Sequence, residues 1–455
     1  MSHTLIFDIG KTNKKCFVFD EDYKEVWKEY IRIDEIVDED GDPCDDLQAI
    51  EEWVKSTFNK VLDSNDFVIK GVNFSTYGAS FVHLDKNGQP VTALYNYLKP
   101  FPKELLDQFY EKYGSEISLA KETASPPLEM LNSGLQLYYL KYAKPELYNR
   151  IHRSLHLPQY LSFLFTGVAV SEFTSIGCHT MLWDYSTGDY HQWVYAEGID
   201  SILAPIVSKK PYLKQKKNGV NLKYGIGIHD SSAALIPYLK AQKKPFLLIS
   251  TGTWSISLNP FSKELLSEAD LRNDALNFMQ LNGDTVKASR LFLGNEYKIQ
   301  VEFLREDYGK EEGYHRQMKF SPTLYSDLSK DSKICYNFSS INIERNEPEQ
   351  TNLIDFGSYE EAYHKLMIEL VALQTESAKR AIGNTQIDKI FIDGGFAAND
   401  IFVKLIGFHF KDCKIRTTLT PLGSALGAAL VLSNKKVKRK FLKKHYALQK
   451  PKIWN

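Results

Sequence analysis

The chain has 455 residues, a length that predicts two or three domains with sizeable cores. Hydrophobic residues make up 43% of it and charged residues 25%, which excludes wholesale disorder. The net charge of -1 argues against nucleic acid as a main partner. Five widely spaced cysteines without a Cys-x-x-Cys pair predict free thiols in a reducing compartment and no structural zinc. There is no run of about 18 apolar residues and no basic-apolar leader before Asp8, so we expect a cytoplasmic protein without a membrane partner.

The first predicted element is an apolar strand over residues 4–9 that ends in a turn with the features of a phosphate site. A glycine in such a turn lets backbone N–H groups and small hydroxyls approach anionic oxygens. Asp8 is a candidate to hold Mg²⁺ through water. The predicted phosphate-binding residues that follow it are Gly10, Lys11, Thr12 and Asn13. The alternative is a plain turn with solvated lysines.

Further along the first half, residues 16–20 and 25–33 read as strands, 45–62 as a helix and 67–74 as a strand. This order is typical of a ribonuclease-H-like α/β core. A second αβ unit is predicted over residues 155–239. It contains His229 and Asp230, at a predicted strand-to-helix turn. A carboxylate there could accept the proton of a hydroxyl that attacks phosphorus, although Asp before a helix is also a common N-cap.

The polar segment 240–245 predicts a domain junction, which divides the chain into 1–240 and 241–455. Directly after it, the strand–turn–strand pattern recurs around Thr251, Gly252 and Thr253. These residues are predicted to bind phosphate, with a strand bulge as the alternative. Two such turns, one in each half, indicate duplicated domains that hold a polyphosphate in the cleft between them.

The rest of the second half predicts a helix over 358–382, a strand over 389–392 and a helix over 399–410, with Gly394, Gly395 and Asn399 as candidates to contact a base and ribose. An αβ turn is the alternative for these glycines. A strand over 413–417 and a helix over 422–432 follow. Residues 258–352 show no dominant period, which favours insertions. The tail, 434–455, has nine Lys or Arg and no acid, which indicates a solvated helix or, less strongly, contact with a polyanion or membrane.

Two other patterns are not expected to bind metal. His152 and His156 are four residues apart but have no further ligand nearby in the sequence. The acidic segment 38–42 does not have the spacing of a calcium loop.

Together these segments resemble the FGGY family of carbohydrate kinases, within the actin and hexokinase superfamily. The resemblance covers nearly the whole chain in order, and its specific parts are residues 8–12, 229–231, 250–254, 393–399 and 421–429. It implies sugar binding mainly by the first domain and ATP binding mainly by the second. By this similarity Asp230 is the general base, Asp8 the magnesium-linked carboxylate, Thr12 and 251–253 the phosphate site, and Gly394, Gly395 and Asn399 the adenosine site.

Within the family, the chain most resembles the 6-deoxy-ketohexose kinases, rhamnulokinase and L-fuculokinase, at residues 76–82, 158–167 and 172–174. The implied sugar-binding residues are Thr76, Tyr77, Gly78, Ser80, Glu172, His229 and Asp230. Two departures lie here: Ser80 stands where those kinases carry Asp, and residues 95–97 are Tyr-Asn-Tyr instead of a Tyr-Arg-Asp type.

The implied reaction is transfer of the γ-phosphoryl group of ATP, with Mg²⁺, to a hydroxyl of L-rhamnulose, L-fuculose or a related ketose. The alternatives are a kinase for another ketose or a polyol, such as xylulose, glycerol or an alditol, and a non-catalytic actin-like nucleotide-binding protein. The oligomeric state, a homodimer included, is left open.

Overall fold

The computed structural model of the chain describes residues 2–207, 210–217, 219–330, 333–341, 348–354, 356–419, 422–433, 437 and 440–453. The strands are β1 Ser2–Ile9, β2 Lys14–Phe19, β3 Glu25–Ile31, β4 Glu35–Val37, β5 Pro43–Asp45, β6 Val68–Thr76, β7 Phe81–Leu84, β8 Leu94–Tyr95, β9 Arg153–His156, β10 Trp183–Asp184, β11 Asp189–Tyr190, β12 Tyr212–Lys217, β13 Val220–Gly225, β14 Ile228–His229, β15 Phe246–Thr251, β16 Ser255–Asn259, β17 Ala275–Met279, β18 Thr285–Leu291, β19 Lys389–Gly394 and β20 Lys414–Thr418.

The α-helices are α1 Leu47–Asp63, α2 Lys103–Tyr113, α3 Glu116–Thr123, α4 Ser133–Ala143, α5 Pro145–Tyr148, α6 Leu157–Thr166, α7 Phe173–Ile176, α8 Gln192–Ala196, α9 Asp230–Ala241, α10 Glu268–Arg272, α11 Leu293–Asp307, α12 Pro322–Leu328, α13 Tyr359–Ile382, α14 Asp400–His409, α15 Gly423–Val431 and α16 Lys440–His445. Short 3₁₀ helices span Glu129–Leu131, Ile199–Ile202, Tyr314–Gln317 and Gly395–Ala398. None of the helices in the described ranges is both long enough and apolar enough to cross a membrane.

Two sheets with the same topology organise the molecule. In the first, β3, β2 and β1 are antiparallel neighbours, β6 is parallel to β1, and β13 and β14 are parallel to β6. In the second, β18, β16 and β15 are antiparallel neighbours, followed by parallel β19 and β20. The same order in both halves confirms the predicted duplicated ribonuclease-H-like α/β fold.

Local sequence explains where the long helices of each half begin and end. Helix α1 begins where the Asp46 side chain accepts a hydrogen bond from the Ala49 N–H, so Asp46 is its N-cap, one residue after the predicted start at 45. Helix α13 is capped at its start by Ser358, whose hydroxyl accepts from the Glu361 N–H, and at its end by Gly383. Gly383 has φ +54°, a backbone conformation that glycine adopts without strain.

The predicted insertions over 258–352 are wrong for part of that range. Strands β17 and β18 belong to the second sheet, and β18 pairs along its length with β16. The side chains on both faces of β17 and β18 are buried. Their sequences therefore lack the alternation of apolar and polar residues that identifies a half-exposed strand.

Helices α9 and α15 cross between the two halves. A Cβ added at Gly427 of α15 would lie 1.8 Å from the Ala233 carbonyl oxygen of α9, so only glycine permits this approach. The Asn73 side chain of β6 also donates to the Ala428 carbonyl over 2.9 Å. Since α9 ends at Ala241 and β15 begins at Phe246, the proposed junction lies between them, and the division at 240 stays a prediction.

The basic tail is not wholly solvated. Residues 434–436, 438, 439, 454 and 455 of it lie outside the described residues, as does Pro421 of the predicted 421–429 motif. In the described part, Phe441, Leu442 and Tyr446 are buried in the core cluster that also contains residues of α9 and α15. The apolar face of α16 thus packs between the halves, while its lysines explain the strongly basic composition.

Candidate active site

The first predicted phosphate turn is a hairpin tip at the end of β1. The Gly10 N–H donates to the Asn13 carbonyl over 2.9 Å, and the side chains of Thr12 and Asn13 are exposed. Lys11 does not point freely from this tip, because its Nζ lies 2.6 Å from Asp45 Oδ2 and 3.0 Å from Glu35 Oε1. The tip therefore offers backbone N–H groups and a hydroxyl to an anion, whereas the Lys11 charge is already balanced.

The second turn is its counterpart between β15 and β16. Gly252 and Thr253 are exposed at the tip, and the Gly252 N–H donates to the Trp254 carbonyl over 2.8 Å. Thr251 is instead buried, and its hydroxyl donates to the Asp393 carbonyl over 2.5 Å and accepts from the Phe396 N–H over 3.1 Å. Thr251 thus holds the β19 turn, and Gly252 and Thr253 are the residues open to a phosphate.

Gly394 and Gly395 lie beside this turn on an exposed surface. Gly394 has φ +85°, and a Cβ there would lie 1.8 Å from the Thr251 carbonyl oxygen, whereas a Cβ at Gly395 would meet nothing within 4 Å. Open space over a bare backbone suits close approach of a flat ligand. Asn399 lies at the same end, where its side chain caps α14 and donates to the Tyr363 hydroxyl over 3.0 Å.

Asp230 is the first residue of α9, directly after β14, as the strand-to-helix pattern predicts. Its Oδ1 accepts from the Ser231 N–H over 2.6 Å and from the Ser231 hydroxyl over 3.3 Å. No hydrogen bond within the described ranges reaches Oδ2, and 35% of the side chain is exposed. Because the acceptor contacts are with the next residue rather than two or three residues on, this is not the usual N-cap geometry.

Asp8 and Asp230 are electrostatic neighbours where residues of both halves meet, at the base of the predicted cleft. Burial raises the pKa of the Asp8 carboxyl from 3.8 to about 6, with Lys15 and the Ser424 hydroxyl lowering it and the neighbouring Asp230 raising it. Burial likewise raises the pKa of Asp230 to about 6, against hydrogen bonds from Ser231. Two neighbouring carboxylates with raised pKa values at the same ends of parallel strands are typical of a functional site.

A third carboxylate, that of Asp393, lies close to the N-terminus of α15. Gly423, the first residue of α15, would place a Cβ 3.6 Å from Asp393 Oδ2, and the Tyr238 hydroxyl donates to that oxygen over 3.0 Å. Burial raises the pKa of Asp393. The ends of β1, β14 and β19 therefore present Asp8, Asp230 and Asp393 around the beginnings of α9 and α15.

The predicted sugar residues differ in how far they can reach a ligand. Gly78 packs against Cys178 and His229 so closely that a side chain does not fit: a Cβ there would lie 2.5 Å from Cys178 Sγ and 3.3 Å from His229 Nε2. Ser80 is 2% exposed, and its hydroxyl donates to the Gly78 carbonyl over 3.4 Å. The Thr76 hydroxyl is similarly used, in a 2.8 Å bond to the Tyr77 carbonyl.

Glu172 is placed behind the site rather than in its wall. Its carboxylate is buried and caps α7, accepting from the backbone N–H groups of Thr174 and Ser175 and from the Thr174 hydroxyl. The Thr174 hydroxyl oxygen accepts in turn from the backbone N–H of His229 over 3.1 Å. Glu172 thus supports the turn that carries His229 and Asp230.

One cluster was missed from the sequence. Asp45, 4% exposed, accepts from Lys11, from Lys14 and, over 2.7 Å, from the Tyr77 hydroxyl. Tyr97 lies on the same side: burial raises the pKa of its hydroxyl, Lys11 lowers it, and both Asp45 and Asp230 raise it. Tyr97 thereby connects the cluster to the base of the cleft. No local signal links residues 11, 45 and 97, so only the fold identifies the group.

A magnesium ion fits the chemistry of the base of the cleft. Asp8 and Asp230 are neighbouring carboxylates whose ionised forms repel each other, and a divalent cation would relieve that repulsion. No set of three or more His, Cys, Asp or Glu in the described ranges is arranged to hold a metal. Mg²⁺ would therefore depend on Asp8, water and phosphate oxygens, in keeping with its reluctance to lose its hydration shell.

Comparison with known proteins identifies the first half of the chain. Residues 3–228 match the N-terminal domain of the FGGY family of carbohydrate kinases. A rhamnulokinase from Halalkalibacterium halodurans is 25% identical over 272 residues, which cover 56% of this chain and 56% of that protein. A rhamnulokinase from Klebsiella pneumoniae is 26% identical over 250 residues, which cover 52% and 49%. The chain spans about half the length of the curated relatives it matches.

Solved structures share the fold over nearly the whole chain. A carbohydrate kinase from Novosphingobium aromaticivorans has a TM-score of 0.77 at 21% identity and covers 95% of this chain and 92% of that one. A xylulose kinase from Lactobacillus acidophilus has a TM-score of 0.77 at 16% identity and covers 100% and 94%. At these identities the likeness concerns the fold alone. Through residues 3–228, the chain belongs to the FGGY family of carbohydrate kinases.

Proposed function

We propose that the protein is an ATP-dependent sugar kinase that transfers the γ-phosphoryl group of ATP to a hydroxyl of a small ketose. The observation that carries this proposal is the state of Asp230. One carboxylate oxygen is occupied by Ser231, the other has no hydrogen-bond partner in the described ranges, and the pKa is raised to about 6. A carboxylate with an open oxygen and a pKa near neutrality is suited to accept a proton from an attacking hydroxyl.

The two exposed hairpin tips support the nucleotide half of the proposal. Thr12 and Asn13 on one domain, and Gly252 and Thr253 on the other, present N–H groups and hydroxyls to a bound polyphosphate. Gly394 and Gly395 give a flat surface for adenosine beside the second tip. We therefore assign ATP mainly to residues 241–455 and the sugar mainly to residues 1–240.

In the proposed reaction, Asp230 Oδ2 accepts the proton of the sugar hydroxyl while the hydroxyl oxygen forms a bond to the γ-phosphorus. The bond between that phosphorus and the β–γ bridging oxygen breaks, and ADP leaves. Most of the catalysis comes from positioning the reactants and from balancing charge. Mg²⁺, held through Asp8, would supply positive charge to the phosphate oxygens. Asp8 itself contributes the carboxylate that fixes the ion's position.

For the sugar, we propose L-rhamnulose, L-fuculose or a related ketose, because the curated relatives are rhamnulokinases and residues 76–82 keep much of the pattern of that group. Tyr97, close to both Lys11 and Asp230, is the aromatic residue best placed to contact the sugar. Ser80 and Asn96 replace charged residues of those kinases. We therefore expect that L-rhamnulose and L-fuculose are not both good substrates and that one ketose is strongly preferred.

The test is a coupled assay of ADP release over a panel of ketoses, aldonates and polyols, with identification of the phosphorylated product. We expect one ketose to be strongly preferred, and Asp230→Asn to lower kcat by about 10²–10⁴-fold while ATP still binds. Asp46→Asn, at the cap of α1, is the control for loss of a helix-terminal carboxylate, and it should keep its activity.

Other outcomes would contradict the proposal in different ways. A preferred alditol or glycerol would replace the ketose with a polyol. Nucleotide binding without phosphorylation of any acceptor would point to a non-catalytic protein. Asp230→Asn with more than about a tenth of the wild-type rate would remove the general-base role.

A further inference from the structure

An acidic hairpin loop, residues 38–42, connects β4 and β5 in the first half of the chain. Its three aspartates are Asp38, Asp40 and Asp42. The Asp38 carboxylate accepts from the backbone N–H groups of Asp40, over 2.9 Å, and of Asp42, over 3.0 Å. Gly41 has φ +87°, which glycine adopts without strain. The loop therefore folds tightly around the side chain of its first aspartate.

The ammonium group of Lys99 lies where the three aspartate side chains converge. Its Nζ is 2.7 Å from Asp38 Oδ2, 2.7 Å from Asp42 Oδ2 and 3.1 Å from Asp40 Oδ2. The Lys99 side chain is 2% exposed. Burial lowers the pKa of Lys99, but the hydrogen bonds to the three aspartates outweigh burial and raise it above the usual value, so the group is charged. Three carboxylates thus surround one positive centre, which is also how proteins bind Ca²⁺.

The other acidic contacts of the loop attach it to its surroundings. Asp40 accepts from the Tyr139 hydroxyl over 2.7 Å and from the Lys144 ammonium. Glu39 accepts from the Tyr95 hydroxyl. Because Tyr139 belongs to α4 and Tyr95 to β8, these contacts hold the loop against both elements. The loop is therefore a firm base for the side chain that enters it from the turn after β8.

Lys99 closes that turn, which follows directly on β8. The Asn96 carbonyl accepts from the Lys99 N–H over 3.0 Å, and the Asn96 side-chain oxygen accepts from the Leu98 N–H over 3.0 Å. Strand β8 pairs with β5, which is the strand that leaves the acidic loop. Residues 96–99 thus form one hydrogen-bonded turn, and Tyr97 lies between its two fixed ends.

Tyr97 is the residue of this turn that reaches the base of the cleft. Its ring centre lies 5.7 Å from Lys11 Nζ and 6.3 Å from the centre of the Tyr77 ring, and its hydroxyl interacts electrostatically with Asp230. Tyr97 and Lys99 are two positions apart in the sequence. A displacement of the Lys99 backbone therefore moves the Tyr97 ring as well.

We infer that Lys99 is a positioning residue whose ammonium takes the place of a metal ion in the 38–42 loop and thereby fixes the turn that holds Tyr97 in the sugar site. The inference rests on the proposed function, since that function assigns Tyr97 to the sugar. Lys99 is too deeply buried to contact a sugar and does not touch the reacting atoms. The role also explains why the acidic segment is ordered although its spacing is not that of a calcium loop.

The first experiment measures kcat and KM for the preferred sugar and for ATP in Lys99→Met. The turn loses its anchor, so we expect the KM for the sugar to rise about tenfold while the KM for ATP stays unchanged. Tyr97→Ala should also raise the KM for the sugar, and Lys99→Met should add little in that background, because both changes act through the same ring. An unchanged sugar KM in folded Lys99→Met would overturn the inference, as would fully additive effects of the two substitutions.

Two further variants separate positioning from loss of stability. Lys141→Met is the matched control, because Lys141 also pairs with a buried carboxylate of the first half, 2.6 Å from Glu197 Oε2; it should lower thermal stability and leave the sugar KM in place. Lys99→Met leaves the Asp38 charge buried without its partner, which can prevent folding. In that case the double variant Lys99→Met/Asp38→Asn removes both charges, and the same rise in the sugar KM is expected.

Calcium tests whether the ammonium stands in for a metal ion. Lys99→Ala keeps the three aspartates and leaves space where the ammonium was, so about 1 mM Ca²⁺ should raise its thermal stability and lower its sugar KM toward the wild-type value. Lys141→Ala should gain nothing, and wild-type protein with excess Mg²⁺ and the same Ca²⁺ measures any competition at the active site. No stabilisation of Lys99→Ala would overturn the claim that the ammonium replaces a metal. Stabilisation without recovery of the sugar KM would overturn the positioning role.

A measurement without turnover separates this inference from the proposed function. Backbone hydrogen exchange over residues 94–99 is compared between the wild type, Lys99→Ala, and Lys99→Ala with Ca²⁺. We expect the N–H groups of residues 98 and 99 to exchange faster in the variant and to regain protection with Ca²⁺; equal exchange in all three samples would overturn the inference. A wild-type protein that phosphorylates no sugar would instead overturn the proposed function, and the exchange rates would still decide whether Lys99 fixes the turn.

Discussion

The sharpest prediction of the proposed mechanism is its pH dependence. Asp8 and Asp230 both have pKa values raised by burial from 3.8 to about 6. Asp230 must be ionised to accept a proton, and Asp8 must be ionised to hold a cation. Activity is therefore present above the raised pKa values and is lost as the pH falls through them. Stability changes in the opposite sense: the contribution of these groups to apo-protein stability is greatest below 3.8 and is lost as the pH rises through about 6.

The size of the effect follows from the two pKa values. At about pH 5, a carboxyl with a pKa near 6 is only about one-tenth ionised, whereas an ordinary aspartate is more than about nine-tenths ionised. If both groups are required, kcat/KM for ATP should be about a hundredfold lower at about pH 5 than at about pH 8. Because the two carboxyls interact, the apparent pKa values belong to the pair.

The assay is initial-rate kinetics across that pH range, with Mg²⁺ in excess and protein integrity checked by return to neutral pH. Below the pKa values, log kcat/KM for ATP should fall with a slope approaching two. The matched variant is Asp8→Asn, in which one titrating group is absent and the slope should fall to one. A wild-type profile that stays flat down to about pH 5 would refute both the burial argument and the assignment of Asp230 as the base.

Three further predictions concern single side chains. Asp8→Asn should raise the free energy of unfolding of the apo protein by up to about 3 kcal/mol at neutral pH, because it removes a desolvated charge. The same variant should need a higher Mg²⁺ concentration for half-maximal activity, and an unchanged magnesium titration would count against the role of Asp8. Gly427→Ala should destabilise the protein by about 1–3 kcal/mol, since its Cβ would lie 1.8 Å from the Ala233 carbonyl oxygen; thermal unfolding measures this, and a neutral result would mean that α9 and α15 are not so closely packed. Ser80→Asp should change the ratio of kcat/KM between L-rhamnulose and L-fuculose by at least about tenfold, as it buries a carboxylate beside the Gly78 carbonyl; constant preferences would place residue 80 outside the sugar site.

Local sequence patterns were sufficient for much of the fold and for part of the site. The two hairpin tips at residues 10–13 and 251–253 are set by strand periodicity and turn glycines, which act over a few residues. The strand-to-helix step at Asp230 and the capped start of α13 are equally local. Each of these predictions needed only the chemistry of adjacent residues, which explains why their positions agree with the structure to within a few residues.

Features that depend on distant pairing were not accessible in the same way. Asp45 is buried by Lys11, Lys14 and Tyr77, but in the sequence it is only the polar first residue of the helix predicted over 45–62. Glu172 resembles a ligand residue, yet the fold uses it to cap α7. The contact of Cys178 with His229 joins residues 51 positions apart. Such contacts arise from the tertiary arrangement, and no periodicity or turn signal encodes them.

The position of α9 and α15 connects the fold with the proposed chemistry. Asp230 begins α9, Ser424 near the start of α15 interacts with Asp8, and Gly427 fixes the two helices against each other at backbone contact distance. We propose that the two sheets close over their substrates by rotating about this crossing. The crossing itself moves least, so the carboxylates that handle the proton and the cation keep their relative positions. A cleft of this construction can therefore open and close around substrates while its catalytic geometry stays fixed.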